Sequence, residues 1–353
     1  MKQFVILLFL GVLISFTSIG CDSTEEPTES DEIKVLTNIG NNIILEVYKD
    51  LDDDSDPLIT AVQALRASQT QANLDAARQA WLNARVPFEF GEAHEFGPVK
   101  QGDVKKKLDF WPTDINAINA ITTGTEPINQ AYVDARPYEA KGYHGMEYLL
   151  WGEDPKNPKL PGSFTTRELE YLEALAVDHK LLAEWVYNEW SPEGGNFVKN
   201  LTKAGTSESV YSTELAGVQQ VVDRLTRISE EVGKEYLGEP LSVQDPRQLE
   251  SYFSNTSGHD FHNILLGIQA VYTGVYGSST DNGISKLVRT KKADLDDSVR
   301  AKITECLANY LKIRENMNDH VAISSADANA ALTSGIQLHR IFEDRVKVVL
   351  YNN

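Results

Sequence analysis

His144 and Glu147 stand three residues apart in the run Gly142-Tyr143-His144-Gly145-Met146-Glu147-Tyr148-Leu149-Leu150-Trp151-Gly152. On a helix this spacing puts both side chains on one face. An imidazole and a carboxylate so placed can share a divalent metal, or they can hydrogen-bond to each other. Gly142 and Gly145 allow another segment to approach the backbone closely, and Gly152 is a helix stop. Zinc peptidases carry His-Glu-x-x-His or its inverted form, and with Tyr148 after Glu147 neither is present. Di-iron bundles repeat Glu-x-x-His on two helices, whereas this chain has one pair in reversed order. Two ligands on one helix do not complete a metal site, so further donors must come from elsewhere. A thiolate-free set rich in carboxylates suits iron, manganese or calcium as readily as zinc.

Other polar constellations read as structural. Asp50, Asp52, Asp54 and Asp56 alternate like the opening of a calcium loop, but Ser55 replaces the turn glycine and Ala61 the closing glutamate, which leaves a solvated acidic loop. His259 and His262 flank Asp260 as polar residues at a helix entrance. His179 and His339 fall on apolar stripes as core histidines, and Cys306 reads as a small buried hydrophobe.

The run from Gly142 to Gly152 resembles the Gly-x-His-x-x-Glu signature of the imelysin family, with Gly142, His144 and Glu147 at the motif positions. Three further blocks are similar to that family and occur in its order. They are Trp81 through Ala84-Arg85 to Glu92-Ala93 and Phe96-Gly97-Pro98-Val99, then Leu108-Asp109-Phe110-Trp111-Pro112-Thr113-Asp114, then Ser251-Tyr252-Phe253-Ser254 through Asp260-Phe261-His262-Asn263 to Gly274. The resemblance implies two related helical domains facing one another. It points to Glu92, and after it Asp114, as the carboxylates that join His144 and Glu147 around a metal, with iron and zinc the first candidates. At position 94 a His takes a place that is usually aromatic.

The elements that must position these residues are helices. Ile33, Leu36, Ile39, Ile43, Val47 and Leu51 step by three and four, behind Ser30 and Asp31 as caps. The same period recurs in Leu74-Ala77-Trp81-Ala84-Phe88, in Leu172-Leu175-His179-Leu182-Val186 and in Val218-Val222-Leu225-Ser229-Val232-Tyr236. It returns in Val299-Ile303-Leu307-Tyr310 and in Leu332-Ile336-His339-Phe342-Val346-Val349. Strand alternation is scarce. An all-α protein of two antiparallel helical bundles is predicted, residues 33–205 and 206–353, with the boundary in the loop-like region 191–209. A faint echo supports duplication: Asp260-x-x-Asn263-Ile-Leu-Leu repeats the form of His144-x-x-Glu147-Tyr-Leu-Leu.

The first twenty residues carry Lys2, an apolar run from Phe4 to Phe16, and small residues before Cys21, the form of a secretory signal ending at a lipidated cysteine. Residues 21–32 are an acidic, flexible tether. A lipid on Cys21 anchors the protein to a bacterial envelope membrane, foremost the outer membrane, and leaves Cys306 without a disulfide partner. The formal charge of −19 becomes −20 when Lys2 is removed. So acidic a chain repels phosphate backbones and is not a nucleic-acid binder.

Three functions follow. Several relatives in the family it resembles are iron-regulated or belong to iron uptake, which implies a metal-binding envelope lipoprotein. The family's name implies instead a metallopeptidase, in which Glu147 would be the base, although Glu147 cannot readily serve as both ligand and base. The third is a metal-free helical scaffold for a polysaccharide, peptide or protein partner. The metal reading expects His144, Glu147, Glu92 and Asp114 to converge at a cleft between the domains, with affinity falling as pH drops through about 6.5, the usual imidazole range.

Overall fold

Helices begin where short hydroxyl side chains can satisfy their first amide groups. In this computed structural model, which describes residues 29–277, 279 and 281–352, Ser30, Thr70, Thr165, Thr213 and Ser325 each accept a bond from the amide three residues on. Thr165 and Glu168 complete a reciprocal capping box. Among the described residues there are helices and no strands, as the stripes predicted. The signal, Cys21 and nearly all of the acidic tether lie outside the described residues. No described helix is long and apolar enough to cross a membrane.

In the first half, the helix Thr166–Trp190 packs along Ser55–Ala67 and Leu45–Asp53, and Gln71–Gly91 packs on the same pair. The short helix Gly142–Trp151 wedges between Gln71–Gly91 and Thr166–Trp190. In the second half, Ala293–Ile313 and Ala326–Ile341 pair, with Glu214–Glu230 and Ser257–Thr273 against them. The stretch read as an acidic loop is helical on both sides of Asp54, and Lys180 from Thr166–Trp190 neutralises Asp52 at 2.9 Å and Asp56 at 3.2 Å. Leu51 and Leu58 are fully or almost fully buried on either side of it, and their burial overrides the acid run.

The halves meet along Gln71–Gly91 and Ser257–Thr273, and one apolar core runs through both. A Cβ on Gly267 would lie 2.3 Å from the Phe90 carbonyl oxygen, so only glycine permits this crossing. Asp31–Ile39 also leans on the second half, against Glu214–Glu230 and Ile284–Lys291. Glu231–Gly238 forms a wide π-type turn behind Glu214–Glu230, with Gly233 pressed on Gly335. That turn sets Glu231, Glu235 and Tyr236 along the opening between the halves.

Candidate functional site

Gly142 begins the helix that carries the site, at a φ of +69°. A Cβ there would stand 2.4 Å from the Leu108 carbonyl oxygen. The glycine thus lets the segment after Leu108 lie directly on the helix start, and that segment carries Asp109. The second half repeats the device: a Cβ on Gly258, two residues before Asp260, would come within 2.4 Å of the Arg314 carbonyl oxygen. The echo seen in sequence therefore extends to Gly-x-His-x-x-Glu against Gly-x-Asp-x-x-Asn.

His144 is wholly buried between two carboxylates. Its Nδ1 lies 3.0 Å from Glu147 Oε2 and its Nε2 3.1 Å from Asp109 Oδ1, with the Trp111 ring edge-on at 5.0 Å. The other Glu147 oxygen accepts from the backbone amide and the hydroxyl of Ser254, both at 2.8 Å. Glu147 thus ties the motif helix to the second half. Burial opposes a charge on His144, but Asp109 and Glu147 outweigh it and hold the imidazole up at about 9 rather than near 6.5.

Arg85 is the hub beneath this pair. It is buried against the Trp81 and Tyr143 rings, and its guanidinium reaches Asp109 at 2.7 Å, Asp260 at 3.1 Å and Glu89. Asp260 in turn accepts from Ser251. Burial would raise the Asp109 carboxyl, yet Arg85 and His144 hold it well below the usual carboxylate range. Glu250 feels the reverse balance: burial, reinforced by Asp109, pushes its carboxyl up to about 7 against the pull of Lys105.

Asp109 and Glu250 face a cleft of about 520 Å³ between the halves, with Phe110, Trp111 and Tyr236 on its walls. His144 lies one layer below its floor. Of the four predicted ligands, His144 and Glu147 are in contact, and the other two serve elsewhere. Glu92 is held by Lys105 at 2.5 Å and by Arg224 at 3.3 Å. Asp114 caps Ile115–Thr123 through the Ala117 amide at 3.0 Å and points to solvent. The carboxylate that meets His144 is Asp109, five residues before Asp114 in the same block. Arg85 and Asp260 also stood in blocks that drew attention, whereas Glu89 and Glu250 had no signal in the sequence.

A buried polar atom tests whether the residues suit a metal. His144 Nε2 makes no well-aligned hydrogen bond despite its 3.1 Å approach to Asp109. Two donors bound to one ion at right angles, each at about 2.1 Å, lie about 3 Å apart, a spacing that an ordinary imidazolium–carboxylate ion pair shares. Glu147 on Nδ1 stands where metal-binding histidines commonly have an orienting carboxylate. Among the described residues, however, no three His, Cys, Asp or Glu side chains converge on one point as a metal cage.

The His-x-x-Glu helix is packed within the first half and tied to the second through Glu147 and Ser254, in an all-helical fold. The chain belongs to the imelysin family, whose model, described as Peptidase_M75: Imelysin, matches residues 44–343. It is 29% identical over 266 residues to the iron-regulated protein A of Synechococcus elongatus, covering 75% of this chain and 69% of that protein. The fold is shared with a crystal structure titled as a putative iron-regulated protein A precursor from Parabacteroides distasonis. That match has a TM-score of 0.78 and 21% identity, over 93% of this chain and 96% of that one. An imelysin-like protein from Psychrobacter arcticum matches with a TM-score of 0.71 and 16% identity, over 91% of this chain and 96% of that one.

Proposed function

We propose that this protein is an envelope lipoprotein with an iron-linked role, whose interdomain cleft binds a metal ion. The observation that carries the proposal is the buried, poorly bonded His144 Nε2 beside Asp109. In this reading Nε2 and Asp109 are ligands, Glu250 is the nearby carboxylate able to join them, and Glu147 orients the ring. The ion would supply positive charge to a pocket crowded with carboxylates. The likeness to a protein named for iron regulation supports iron over other ions. Peptide hydrolysis fits less well, because both Glu147 oxygens are engaged, one by His144 and one by Ser254. A glutamate so held is not free to take a proton from water.

An ion must displace a proton from the His144 imidazole, which is held up at about 9. Metal affinity is therefore expected to fall as pH drops below that value, well above the 6.5 expected from sequence. Metal analysis of protein purified without chelator tests the site, with the wild type compared with Asp109→Asn and Asp114→Asn. Asp109→Asn is expected to remove most bound metal and Asp114→Asn none. Equal metal content in all three forms would discard this site. The envelope anchor is tested separately: Cys21→Ser is expected to release the protein from membranes, and retention in the detergent phase of a partition assay would refute the lipid anchor.

A further inference from the structure

Most charges on the cleft walls already have a partner. Lys105 is bonded to Glu92 and the Tyr236 hydroxyl, and Lys106 meets Asp103. Arg224 holds Glu95 and Glu231, Arg227 holds Glu235, and Asp109 is shared by Arg85 and His144. Among the described residues, Glu250 is the carboxylate of this lining that enters no ion pair and no hydrogen bond. Burial and Asp109 oppose its charge and outweigh the pull of Lys105. Lys100, the lining's ammonium without an ion pair, is exposed at the surface. The chain thus partly buries a carboxylate and brings no cation to it, an arrangement that costs free energy until a counter-charge arrives.

The walls around it are aromatic. Phe110, Trp111 and Tyr236 line the same cleft, whose volume of about 520 Å³ lies in the range of small-molecule pockets. Trp111 is held between His144 and Phe253 yet stays partly exposed. The Tyr236 ring already takes one ammonium, that of Lys105, 5.0 Å from its centre. Aromatic faces attract a cation and also cover an apolar body. At longer range the formal charge of −19 draws cations toward the chain.

We propose that the cleft binds a small organic cation, an ammonium or guanidinium on an apolar body, with Glu250 as its counter-ion and Phe110 and Trp111 against the body. A metal centred on Glu250 would need further donors, and no three converge among the described residues. An organic cation needs one carboxylate and an apolar wall. Binding of this kind requires no metal and goes beyond the reading of the His144 floor given above.

Calorimetry on detergent-purified full-length protein, with EDTA present, compares phenethylammonium with phenethyl alcohol and hydrocinnamate, which keep the aromatic body and change the charge. The measurement is made at about pH 8, above the value of about 7 to which burial pushes the Glu250 carboxyl. The ammonium is expected to bind about tenfold or more tighter than the alcohol, the scale of one charge-assisted hydrogen bond, and hydrocinnamate weakest. Glu250→Gln is expected to bring the ammonium down to the affinity of the alcohol. Glu235→Gln is expected to leave it within about twofold, because Arg227 already neutralises that carboxylate. Glu250 has no bonded partner to lose, so the denaturant midpoint of Glu250→Gln is expected to match wild type. Equal affinity for the three probes, no binding of the ammonium, or equal losses in the two variants would overturn the organic-cation site. Since EDTA strips metal throughout, each of these outcomes is independent of the metal analysis proposed above.

Discussion

Arg85 holds three buried carboxylates, and its removal would strand Glu89 and Asp260 without a counter-charge and leave Asp109 with His144 alone. Breaking one partner out of a buried ion pair typically costs about 3–5 kcal/mol. Arg85→Ala is expected to lower stability by at least that amount, seen as a lower denaturant midpoint, and a midpoint within error of wild type would contradict the hub. The histidines set a pH window. The His144 proton is held more tightly in the folded chain, at about 9, than in the unfolded chain at 6.5. Its contribution, about 3 kcal/mol at about 1.4 per unit, is complete below 6.5 and lost as pH rises through 9. His94 and His179 are buried neutral, with burial and nearby cations lowering both to about 3. Their contribution is complete above 6.5 and declines as pH falls toward 3. Stability is thus expected to peak near pH 6.5. The loss between pH 7 and 9 is expected to flatten in His144→Gln, and an unchanged slope in that variant would refute the assignment.

Gly142 is the feature of the motif helix that local conformation and packing both require. Its φ of +69° disfavours a side chain, and the Leu108 carbonyl occupies the space where a Cβ would sit. Gly162 provides the comparison, with a φ of +81° and nothing within 4 Å of an added Cβ. Gly162→Ala is expected to cost about 1 kcal/mol of backbone strain. Gly142→Ala is expected to cost at least twice that and to weaken the proposed metal binding, because the shift separates Asp109 from His144. Equal destabilisation of the two variants in denaturant titrations would show that the Leu108 contact does not matter. His94 shows how an element absorbs an unusual residue: it lies edge-on to Tyr48, 4.9 Å between ring centres, as an aromatic ring would.

Across the whole molecule, Arg85 to Asp260, Glu147 to Ser254, and Arg224 to Glu92 cross between the halves, in addition to the Gly267 contact. Partners so shared couple the two halves. All five tryptophans, Trp81, Trp111, Trp151, Trp185 and Trp190, lie before residue 205. Tryptophan fluorescence therefore follows the first half alone, while circular dichroism follows both. The two probes are expected to report one coincident transition, and separated midpoints would show that the halves unfold independently.

Most helix stripes, the starts at Ser30 and Thr165, and the shared face of His144 and Glu147 were legible in the sequence, because each depends on spacing within a turn or two. The reach of Glu147 to Ser254 and of Arg85 to Asp260 was not, since it depends on how distant helices cross. Asp114 and Asp109 show where the line falls. Both stand in one block, but Asp114 precedes a helix and spends its side chain on the Ala117 amide, a local role. Asp109 becomes a partner of His144 only because the Leu108 backbone rests on Gly142. Glu92 likewise had the right chemistry, but packing placed it against Lys105 and Arg224. The sequence by itself determined the helices and one half of a site, through interactions that act between near neighbours. The tertiary structure chose among 52 acidic residues those that meet the imidazole, because a buried charge is settled by whichever opposite charge the packing brings within about 4 Å.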